Sequence, residues 1–551
     1  MNSKEEFLQI AELLFPNVSE NPEDIFKKYP KRNLDEGQYV TRFAPSPTGF
    51  LHIGTVFAAL VAFKLAKQSN GVYILRIEDT DKNREVDNGV NLLAQGLKDY
   101  GICSDEGVIS SSEQIGDYGP YMQSERLDIY AVFAKDLVSK GRAYPCFITP
   151  EELEEIRKKQ EDMGVRTGYY GEWAKWRDAS FEDIKKEIEK DSKFVIRLYS
   201  NGDGEEEFTF TDLVKGKKSL KKNSIDSVLL KSDGYPVYHF AHPIDDTLMH
   251  ITNVVRGDEW FASTPLHYEI FQALELDVLP YAHISPLMKI DEEGGKRKLS
   301  KRKDPEADTR YYSQQGYPKE GVLEYLINIL NSNYQDWKRG NKEKSYDEFK
   351  ISLEKINRSG ALFDFVKLES FCREYIATLS ATEVYERVLD WAKEYDEQVF
   401  KRLSENKEYC IKIFNIEREG KKIRKDMCKW SDVVGQLDIF FDDLFNSLEI
   451  PSMPENISDE DLKNIIEEFI SSYDPDDDCN VWFEKVKAIS ESLGFTSDYN
   501  AFKKNPSKFK GKVGDVAMVL RLKTTRKMQT PDLCEIMKVL GKEKVVERLK
   551  N

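Results

Sequence analysis

Residues 39–78 read YVTRFAPSPTGFLHIGTVFAALVAFKLAKQSNGVYILRIE, and this stretch decides the fold of the first half of the chain. It starts with a short strand, passes through a loop rich in proline and glycine, and enters a helix that is apolar nearly all round and therefore buried. The residues SNG end the helix, and VYILRI forms a second strand. Such a β-loop-α-β unit closes right-handed with parallel strands, which predicts an α/β domain.

The loop before the buried helix is where this unit is expected to bind a ligand, because ligands of open parallel sheets lie beyond the carboxyl ends of the strands. The helix N-terminus offers free N–H groups and partial positive charge to a phosphate. His52 can donate to a phosphoryl oxygen there, and Gly54 lets a ligand approach the backbone. A histidine that only fills a turn is the alternative. The loop matches neither the Walker pattern nor G-x-G-x-x-G.

Two further segments contain clusters of charged residues that could bind charged or polar groups of a ligand. KRKLSKRK at residues 296–303 holds six basic residues in eight, and it is interpreted either as a solvated or RNA-backbone patch or as a mobile loop that clamps phosphates. Nucleotidyl transfer needs positive charge placed at the oxygens that gain negative charge. RIEDTD at residues 76–81 supplies carboxylates that could hold an ammonium group or ribose hydroxyls, or could cap a helix.

Length and composition limit the classes of protein to which this chain can belong. The 551 residues predict about three to five domains. Lysine and arginine total 81 against 98 acidic residues, and the formal charge of −17 argues against a general nucleic-acid coat protein. That sum hides a basic segment, since residues 501–551 hold 14 basic and 5 acidic residues. All six histidines fall between residues 52 and 283, which places the polar chemistry in the first half.

Other features predict a cytoplasmic protein with a helical second half. The cysteine count of seven is odd and no C-x-x-C occurs, which fits a reduced compartment and offers no four-cysteine zinc site. No apolar run approaches the length of a membrane span, and the N-terminus lacks the order of a signal peptide. Beyond about residue 380, apolar residues recur at three- and four-residue spacing, which indicates helices.

HIGT at residues 52–55 and KLSKR at residues 298–302 resemble the signature pair of class I aminoacyl-tRNA synthetases. The chain more specifically resembles the bacterial type of glutamyl-tRNA synthetase, from about residue 38 to residue 551. The blocks that carry this resemblance, in order, are RFAPSPTGFLHIGT, RIEDTD, GPYMQSERLDIY, DGYPVYHFAHPIDD, VVRGDEW, KLSKRKDPEAD and GALFDFVKL.

The resemblance implies an α/β fold with a Rossmann-like parallel-sheet catalytic domain, an α/β insertion, and a following all-helical anticodon-binding region. The implied bounds are 1–37 for an N-terminal extension of unknown role, 38–126 and 239–290 for the split catalytic domain, 127–238 for the acceptor-stem-binding insertion, 291–384 for the KLSKR loop and stem-contact domain, and 385–551 for the anticodon-binding region.

The resemblance also implies the reaction. The family activates L-glutamate with ATP to glutamyl-adenylate, and then transfers it to the terminal adenosine of tRNA(Glu). Mg²⁺ is expected with the ATP. The implied catalytic residues are His52, Lys298 and Lys301, and the implied ATP-binding residues are Gly54, Thr55, Leu299 and Ser300.

The implied glutamate-binding residues are Arg42, Ala44, Ser46, Glu78, Tyr238, His242, Arg256 and Trp260. Arginine suits a carboxylate because its planar fork binds it bidentately. At the position of His242 many members of the family carry asparagine. Arg424 and Arg521 are the implied tRNA-binding residues of the helical region. Cys146 is followed by Phe147 and Ile148 instead of a second cysteine ligand, so no zinc or other resident metal is predicted.

Several alternatives stay open. One is a non-discriminating enzyme that also charges tRNA(Gln) with glutamate, and another is a non-catalytic tRNA-binding paralogue, which would tolerate the loss of His52 or Lys301. A short paralogue that glutamylates a tRNA base would lack the helical region, and a glutaminyl enzyme would carry β-barrels there. No membrane partner is predicted, and a monomer is the expected state.

Overall fold

The computed structural model describes residues 3–81, 86–300, 302–420 and 423–551. The chain divides into two compact units, of which the first contains residues 1–309 and 326–364 and the second contains residues 310–325 and 365–551. Across these described ranges, no helix has the length and apolar character needed to cross a membrane. Lys301, an implied catalytic residue, lies outside the described residues.

All strands of the described chain belong to the first unit. They are β1 (Val40–Phe43), β2 (Val72–Leu75), β3 (Glu106–Ser110), β4 (Glu113–Ile115), β5 (Ala143–Cys146), β6 (Val195–Leu198), β7 (Glu207–Asp212), β8 (Gly216–Lys221), β9 (Val228–Leu230), β10 (Val254–Gly257), β11 (Tyr281–Ile284), β12 (Leu287–Ile290), β13 (Lys296–Lys298) and β14 (Ala361–Leu362).

The first twelve helices include the two that contain the boundaries between units, α10 and α11. They are α1 (Lys4–Leu14), α2 (Pro22–Lys28), α3 (Ile53–Gln68), α4 (Gly89–Asp99), α5 (Leu127–Ser139), α6 (Pro150–Asp162), α7 (Phe181–Glu189), α8 (Tyr238–Leu248), α9 (Thr264–Ala273), α10 (Thr309–Gln315), α11 (Lys319–Leu330) and α12 (Tyr334–Gly340).

The described part of the second unit beyond residue 365 contains helices and no strand. The helices are α13 (Phe365–Thr378), α14 (Ala381–Tyr395), α15 (Glu397–Glu405), α16 (Lys407–Asn415), α17 (Val433–Leu437), α18 (Asp442–Ser447), α19 (Asp459–Ser472), α20 (Cys479–Ser492), α21 (Tyr499–Lys504), α22 (Val513–Thr525), α23 (Leu533–Leu540) and α24 (Lys542–Lys550).

The predicted β-loop-α-β unit forms the centre of the first unit. Strands β1 and β2 are parallel with Val40 opposite Val72, β3 continues the parallel sheet, and β4 closes it antiparallel. Thr252 N–H donates to Val40 O (2.9 Å), which brings the parallel pair β10–β11 to the other side of β1. The carboxyl ends of β1, β2, β10 and β11 therefore lie at one edge.

Helix α3 is buried on most of its surface, as its apolar sequence predicts. Val56, Leu60 and Val61 are at most 3% exposed, and each such side chain contributes about 1.5–3 kcal/mol on burial. The helix ends where Gly71 N–H donates to Ala66 O (2.9 Å). A Cβ at Gly71 would lie 1.9 Å from Tyr39 O, so only glycine allows this close approach to the residue before β1.

The N-terminal extension folds onto the first unit. Helices α1 and α2 each begin with a capping box, which fixes where both start. Beyond α2, Arg32 binds the Glu106 carboxylate through both terminal nitrogens (2.6 and 2.7 Å) and donates from Nε to Met249 O (3.0 Å). Tyr29 OH donates to Gly119 O (2.9 Å). The extension is therefore tied to residues beside the central sheet.

The insertion is an α/β element built around two antiparallel sheets. One has the strand order β5-β6-β9, and the other is the β7–β8 hairpin. The hairpin carries the basic stretch 215–222. Lys215 pairs with Asp258 (3.0 Å), and Lys221 and Lys222 pair with Glu205 and Glu206, which immediately precede β7.

Part of the basic segment 296–303 is a strand, whereas the sequence is interpreted either as a solvated or RNA-backbone patch or as a mobile loop. Residues 296–298 form β13, which pairs antiparallel with β12. Asp304 anchors Arg297 and Ser300, because its carboxylate accepts two hydrogen bonds from Arg297 (2.6 and 2.7 Å) and one from Ser300 N–H (2.9 Å). The Arg297 hydrogen bonds are the main reason that the pKa of Asp304 is lowered. One positive charge of the segment is thus neutralised locally.

The second unit contains a disulfide. Cys479 in α20 and Cys534 in α23 are bonded, with their Cα atoms 5.7 Å apart. The cysteine pattern is interpreted as fitting a reduced compartment, but these two residues, 55 positions apart in sequence, are bonded to each other in the structure. In the described ranges, these cysteines and Asp532 form the one group spaced for a metal ion. The bonded sulfurs do not offer the thiolates that zinc takes.

Candidate functional site

A cavity of about 390 Å³ opens at the carboxyl ends of the parallel strands, beside the N-terminus of α3. It combines residues from the two signature motifs with residues in β1 and β10 and in the segments that follow β1, β2, β9 and β10. The predicted site residues that line it are Arg42, Ala44, Ser46, His52, Gly54, Thr55, Glu78, Tyr238, Arg256, Trp260, Lys298 and Leu299. The cavity therefore brings together side chains that are more than 250 residues apart.

Two described residues of the predicted catalytic, ATP-binding and glutamate-binding sets do not line the cavity. Ser300 follows Leu299 and its backbone N–H is bound to Asp304. His242 is fully buried behind Tyr238, whose ring stacks on the imidazole with centroids 5.5 Å apart. Burial is the main cause that lowers the pKa of His242 to about 4, so its ring is neutral near pH 7.

Arg42 projects from β1, and its guanidinium is hydrogen-bonded to Asp246 and to the backbone of Val255. Its Nε donates to both carboxylate oxygens of Asp246 (3.1 and 3.0 Å), and NH1 donates to Val255 O (2.8 Å). The same carboxylate accepts from Arg76 NH1 (2.6 Å) and lies 2.6 Å from His242 Nδ1. Arg42 is thus rigidly oriented, and part of its charge is balanced by Asp246.

Arg256 projects from β10 at another wall of the cavity. Its Nε donates to His283 Nε2 (2.9 Å), and NH1 lies 2.9 Å from His267 Nδ1. Its NH2 donates to Trp260 O and Thr264 Oγ1 (3.3 Å each). In contrast to Arg42, Arg256 is surrounded by neutral acceptors.

Glu78 provides a buried carboxyl group in the cavity. Its Oε1 is buried, and within the described chain it has no hydrogen-bond partner; Arg76 NH2 lies 3.8 Å away. Burial is the largest influence on this carboxyl, and it raises the pKa of Glu78 to about 7 against the opposing effect of Arg76 and Arg42. A cationic group in the cavity would complete this site.

His52 marks the opposite end of the cavity as the N-cap of α3. Its Nδ1 accepts from Gly54 N–H (2.8 Å), so the neutral ring carries its proton on Nε2. A Cβ at residue 54 would lie 3.0 Å from Nδ1, which shows why glycine suits this position. The helix N-terminus, His52 and Lys298 together favour an anionic ligand at this end.

The sequence did not identify the residues that orient Arg42 and Arg256 through hydrogen bonds. Asp246 lies in the quoted block DGYPVYHFAHPIDD and Asp212 in the insertion, and neither belongs to a motif associated with a carboxylate ligand. His267 and His283 could have been suspected, because the six histidines are confined to residues 52–283. Their partners become visible only once β10 and β11 lie side by side.

The implied tRNA-binding residues lie in the second unit. Arg424 Nε donates to Asp426 Oδ1 (2.7 Å). Arg521 in α22 is half-buried, and its NH1 donates to Thr530 O (3.2 Å) and Pro531 O (3.3 Å). Burial lowers the pKa of Arg521, but the group stays a cation at neutral pH.

Family profiles match nearly the whole chain. The profile described as "tRNA synthetases class I (E and Q), catalytic domain" matches residues 38–368, and the profile "Anticodon binding domain" matches residues 383–551. Among curated relatives, the chain is 45% identical over 543 residues to the glutamate–tRNA ligase of Clostridium perfringens (strain SM101 / Type A), covering 98% of both chains. It is also 45% identical to that of Acetivibrio thermocellus, covering 99% of both.

A solved structure supports the same assignment. The crystal structure of a glutamate tRNA ligase from Elizabethkingia meningosepticum, in complex with its amino acid, superposes with a TM-score of 0.73 at 29% identity, covering 93% of this chain and 98% of that chain. The predicted fold class, a class I catalytic domain followed by a helical anticodon-binding region, is thereby confirmed. The chain belongs to the glutamate–tRNA ligases, a family of class I aminoacyl-tRNA synthetases.

Proposed function

We propose that the cavity binds L-glutamate and ATP side by side and joins them. The observation that carries this proposal is the presence, in one cavity, of two arginines, the buried Glu78 carboxyl, whose Oε1 has no hydrogen-bond partner in the described chain, and a helix N-terminus with His52 and Lys298. An oxygen of the substrate α-carboxylate attacks the α-phosphorus of ATP, and pyrophosphate leaves. The terminal adenosine hydroxyl of tRNA(Glu) then attacks the glutamyl carbonyl, and AMP leaves.

The glutamate end of the cavity has one group for each charge of the substrate. Arg42 and Arg256 are proposed to bind the two carboxylates, and Glu78 the α-ammonium. Tyr238 and Trp260 form an aromatic wall, with ring centroids 4.1 Å apart. Glutamine would offer one of the two buried guanidiniums a neutral amide in place of a carboxylate, and the loss of a hydrogen bond between charged groups in a buried site is costly.

The ATP end depends on positive charge. His52 would donate from Nε2 to a phosphate oxygen, and Gly54 and Thr55 would present the backbone of α3. Lys298, with Leu299 and Ser300, would hold the leaving pyrophosphate together with Lys301. The carboxylates that line the cavity in the described chain, Glu78 and Glu259, suit an ammonium better than a metal cage. Mg²⁺ would therefore arrive on the ATP phosphates and neutralise part of their charge.

The pKa of Glu78 predicts how glutamate binding depends on pH. Only the ionised carboxylate attracts the α-ammonium, and Glu78 is protonated below its pKa of about 7. We expect KM for glutamate to be about tenfold higher at pH 6 than at pH 8. Glu78→Gln should give a high KM that changes little over this range. Steady-state aminoacylation at several pH values tests this, and an unaltered pH profile in Glu78→Gln would contradict it.

The second unit is proposed to bind the anticodon end of tRNA, which agrees with its family profile. We expect Arg521→Ala to weaken tRNA(Glu) binding by about 5- to 100-fold, because a guanidinium contact with phosphate or base is worth about 1–3 kcal/mol. Filter binding at two salt concentrations measures this. Lys463→Ala, which removes an exposed charge paired with Glu467 in the same unit, should bind normally. Equal affinities of both variants would remove Arg521 from the proposed interface.

The decisive experiment for the function is charging of purified tRNA with labelled glutamate. We expect ATP-dependent formation of glutamyl-tRNA(Glu), and no product would favour a non-catalytic tRNA-binding paralogue. Charging of tRNA(Gln) in the same assay identifies the non-discriminating alternative. We further propose a monomer that works in the cytoplasm, where tRNA is charged; sedimentation of the purified chain tests the oligomeric state.

A further inference from the structure

The guanidinium of Arg256 is held by imidazoles in place of carboxylates. Its Nε–H donates to His283 Nε2, and its NH1 donates to His267 Nδ1, both at 2.9 Å. Both histidines are fully buried. In the described ranges, Arg256 has no ion pair with an acidic side chain, whereas Arg42 shares its charge with Asp246 (3.0 Å). The charge of Arg256 is therefore oriented without being balanced by a neighbouring anion.

The tautomer of His283 is fixed by Asp212. His283 Nδ1 lies 2.6 Å from Asp212 Oδ2. A carboxylate only accepts hydrogen bonds, so Nδ1 carries the proton and Nε2 presents its lone pair to Arg256. The other carboxylate oxygen of Asp212 accepts from Val214 N–H (2.9 Å) and Lys215 N–H (2.7 Å). Asp212 is thus held by backbone on one side and holds the imidazole on the other.

His267 also presents an unprotonated ring nitrogen to Arg256. Because its Nδ1 accepts from Arg256, its proton lies on Nε2, which faces His239 Nδ1 at 2.9 Å. Burial and the nearby Arg256 charge keep the pKa of His267 well below its usual value. Arg256 therefore meets two neutral acceptors that constrain the plane of the guanidinium without cancelling its charge.

We propose that Asp212 and His283 are positioning residues that orient Arg256 toward a carboxylate of the bound amino acid. This inference rests on the proposed function, in which Arg256 binds that carboxylate. Asp212 is the last residue of β7, and Lys215 follows in the same hairpin. The insertion would therefore contribute to amino-acid binding through Asp212, in addition to the contact with the tRNA acceptor stem that the family resemblance implies for it.

The test uses the full chain and measures aminoacylation with glutamate varied at saturating ATP and tRNA(Glu). Asp212→Asn keeps the shape of the side chain, but its amide can donate to Nδ1 and so favour the tautomer whose Nε2–H opposes Arg256. His283→Leu removes the acceptor. We expect both to raise KM for glutamate about 10- to 100-fold, the loss typical of a hydrogen bond to a charged group, with KM for ATP within about twofold. His283→Gln places an amide oxygen near Nε2 and should recover much of the loss.

Two further variants make the outcomes distinct. Thr209→Ala breaks an exposed hydrogen bond to Ser219 in the same hairpin (2.8 Å) and should leave KM for glutamate unchanged. Arg256→Lys tests the proposed function itself. If Arg256→Lys raises KM for glutamate but Asp212→Asn and His283→Leu do not, the positioning role is wrong. If Arg256→Lys has no effect, the assignment of Arg256 fails. Equal increases in KM for ATP and glutamate would indicate general disruption and overturn the positioning role.

Discussion

Replacing Asp246 with asparagine is expected to lower the free energy of unfolding of the first unit by about 3–5 kcal/mol, the cost of removing one partner from a buried ion pair. The Asp246 carboxylate is fully buried. Its oxygens lie 3.0 Å from Arg42 Nε, 2.6 Å from Arg76 NH1 and 2.6 Å from His242 Nδ1. Burial opposes its ionisation, but the two arginines hold the pKa of Asp246 well below its usual value. The neutral amide would leave Arg42 and Arg76 with less compensation for their charges.

Calorimetric unfolding measures this prediction, because it resolves separate transitions of a chain with two units. Asp443→Asn is the matched control. Asp443 also binds an arginine through both oxygens, Arg402 at 2.9 and 2.6 Å, but its side chain is 63% exposed. An exposed pair contributes about 0–1 kcal/mol. If the two substitutions cost the same, the buried carboxylate does not stabilise the fold in the way proposed.

The second large effect is expected for Lys301→Ala, which should slow glutamyl-adenylate formation by about 10²- to 10³-fold, the range found when one preorganised donor to a developing anion is removed. Lys301 lies outside the described residues, but it follows Lys298 and Leu299, which line the cavity. Negative charge grows on the pyrophosphate as its bond to the α-phosphorus breaks. A cation that acts on that charge lowers the barrier more than it strengthens substrate binding.

Single-turnover adenylate formation and tRNA affinity, measured on the same protein, separate these two quantities. Lys301→Ala should leave tRNA affinity within about twofold while the chemical step slows. Lys98→Ala, which removes one exposed lysine from the end of α4, should change neither measurement. A proportional loss of tRNA affinity and adenylate formation would mean that Lys301 acts as a general phosphate contact and not on the leaving group.

Much of the catalytic site could be predicted because its residues lie in continuous motifs. The stretch 39–78 specifies two parallel strands, a buried helix and the loop between them, and this local pattern places Arg42, His52 and Glu78 at one edge. The glycines at positions 54 and 71 sit where the backbone comes close to a side chain or to another strand. The sequence was informative wherever neighbouring residues determine the geometry.

The residues that orient the site residues through long-range contacts could not be predicted in this way. Asp246 reaches Arg42 across 204 positions, and Asp212 reaches His283 across 71. Such pairs depend on which strands become neighbours, and a single sequence does not show that. The same limit applies to the Cys479–Cys534 disulfide. For residues 296–298, the basic run leaves open a solvated patch or a mobile loop that clamps phosphates, but these residues pair with β12 as a strand, and the later Asp304 binds Arg297.

The division of the chain into two units has a consequence for biosynthesis. The first unit is discontinuous, since residues 326–364 belong to it while residues 310–325 belong to the second unit. Lys64 and Gln68 of α3 hydrogen-bond to the backbone of Asp347 and Ile351, and β12 pairs with β14. While the ribosome is still translating the codons before residue 364, the nascent catalytic unit therefore lacks the segment that covers one side of α3. Its folding can be completed only late, when almost two thirds of the polypeptide has been made.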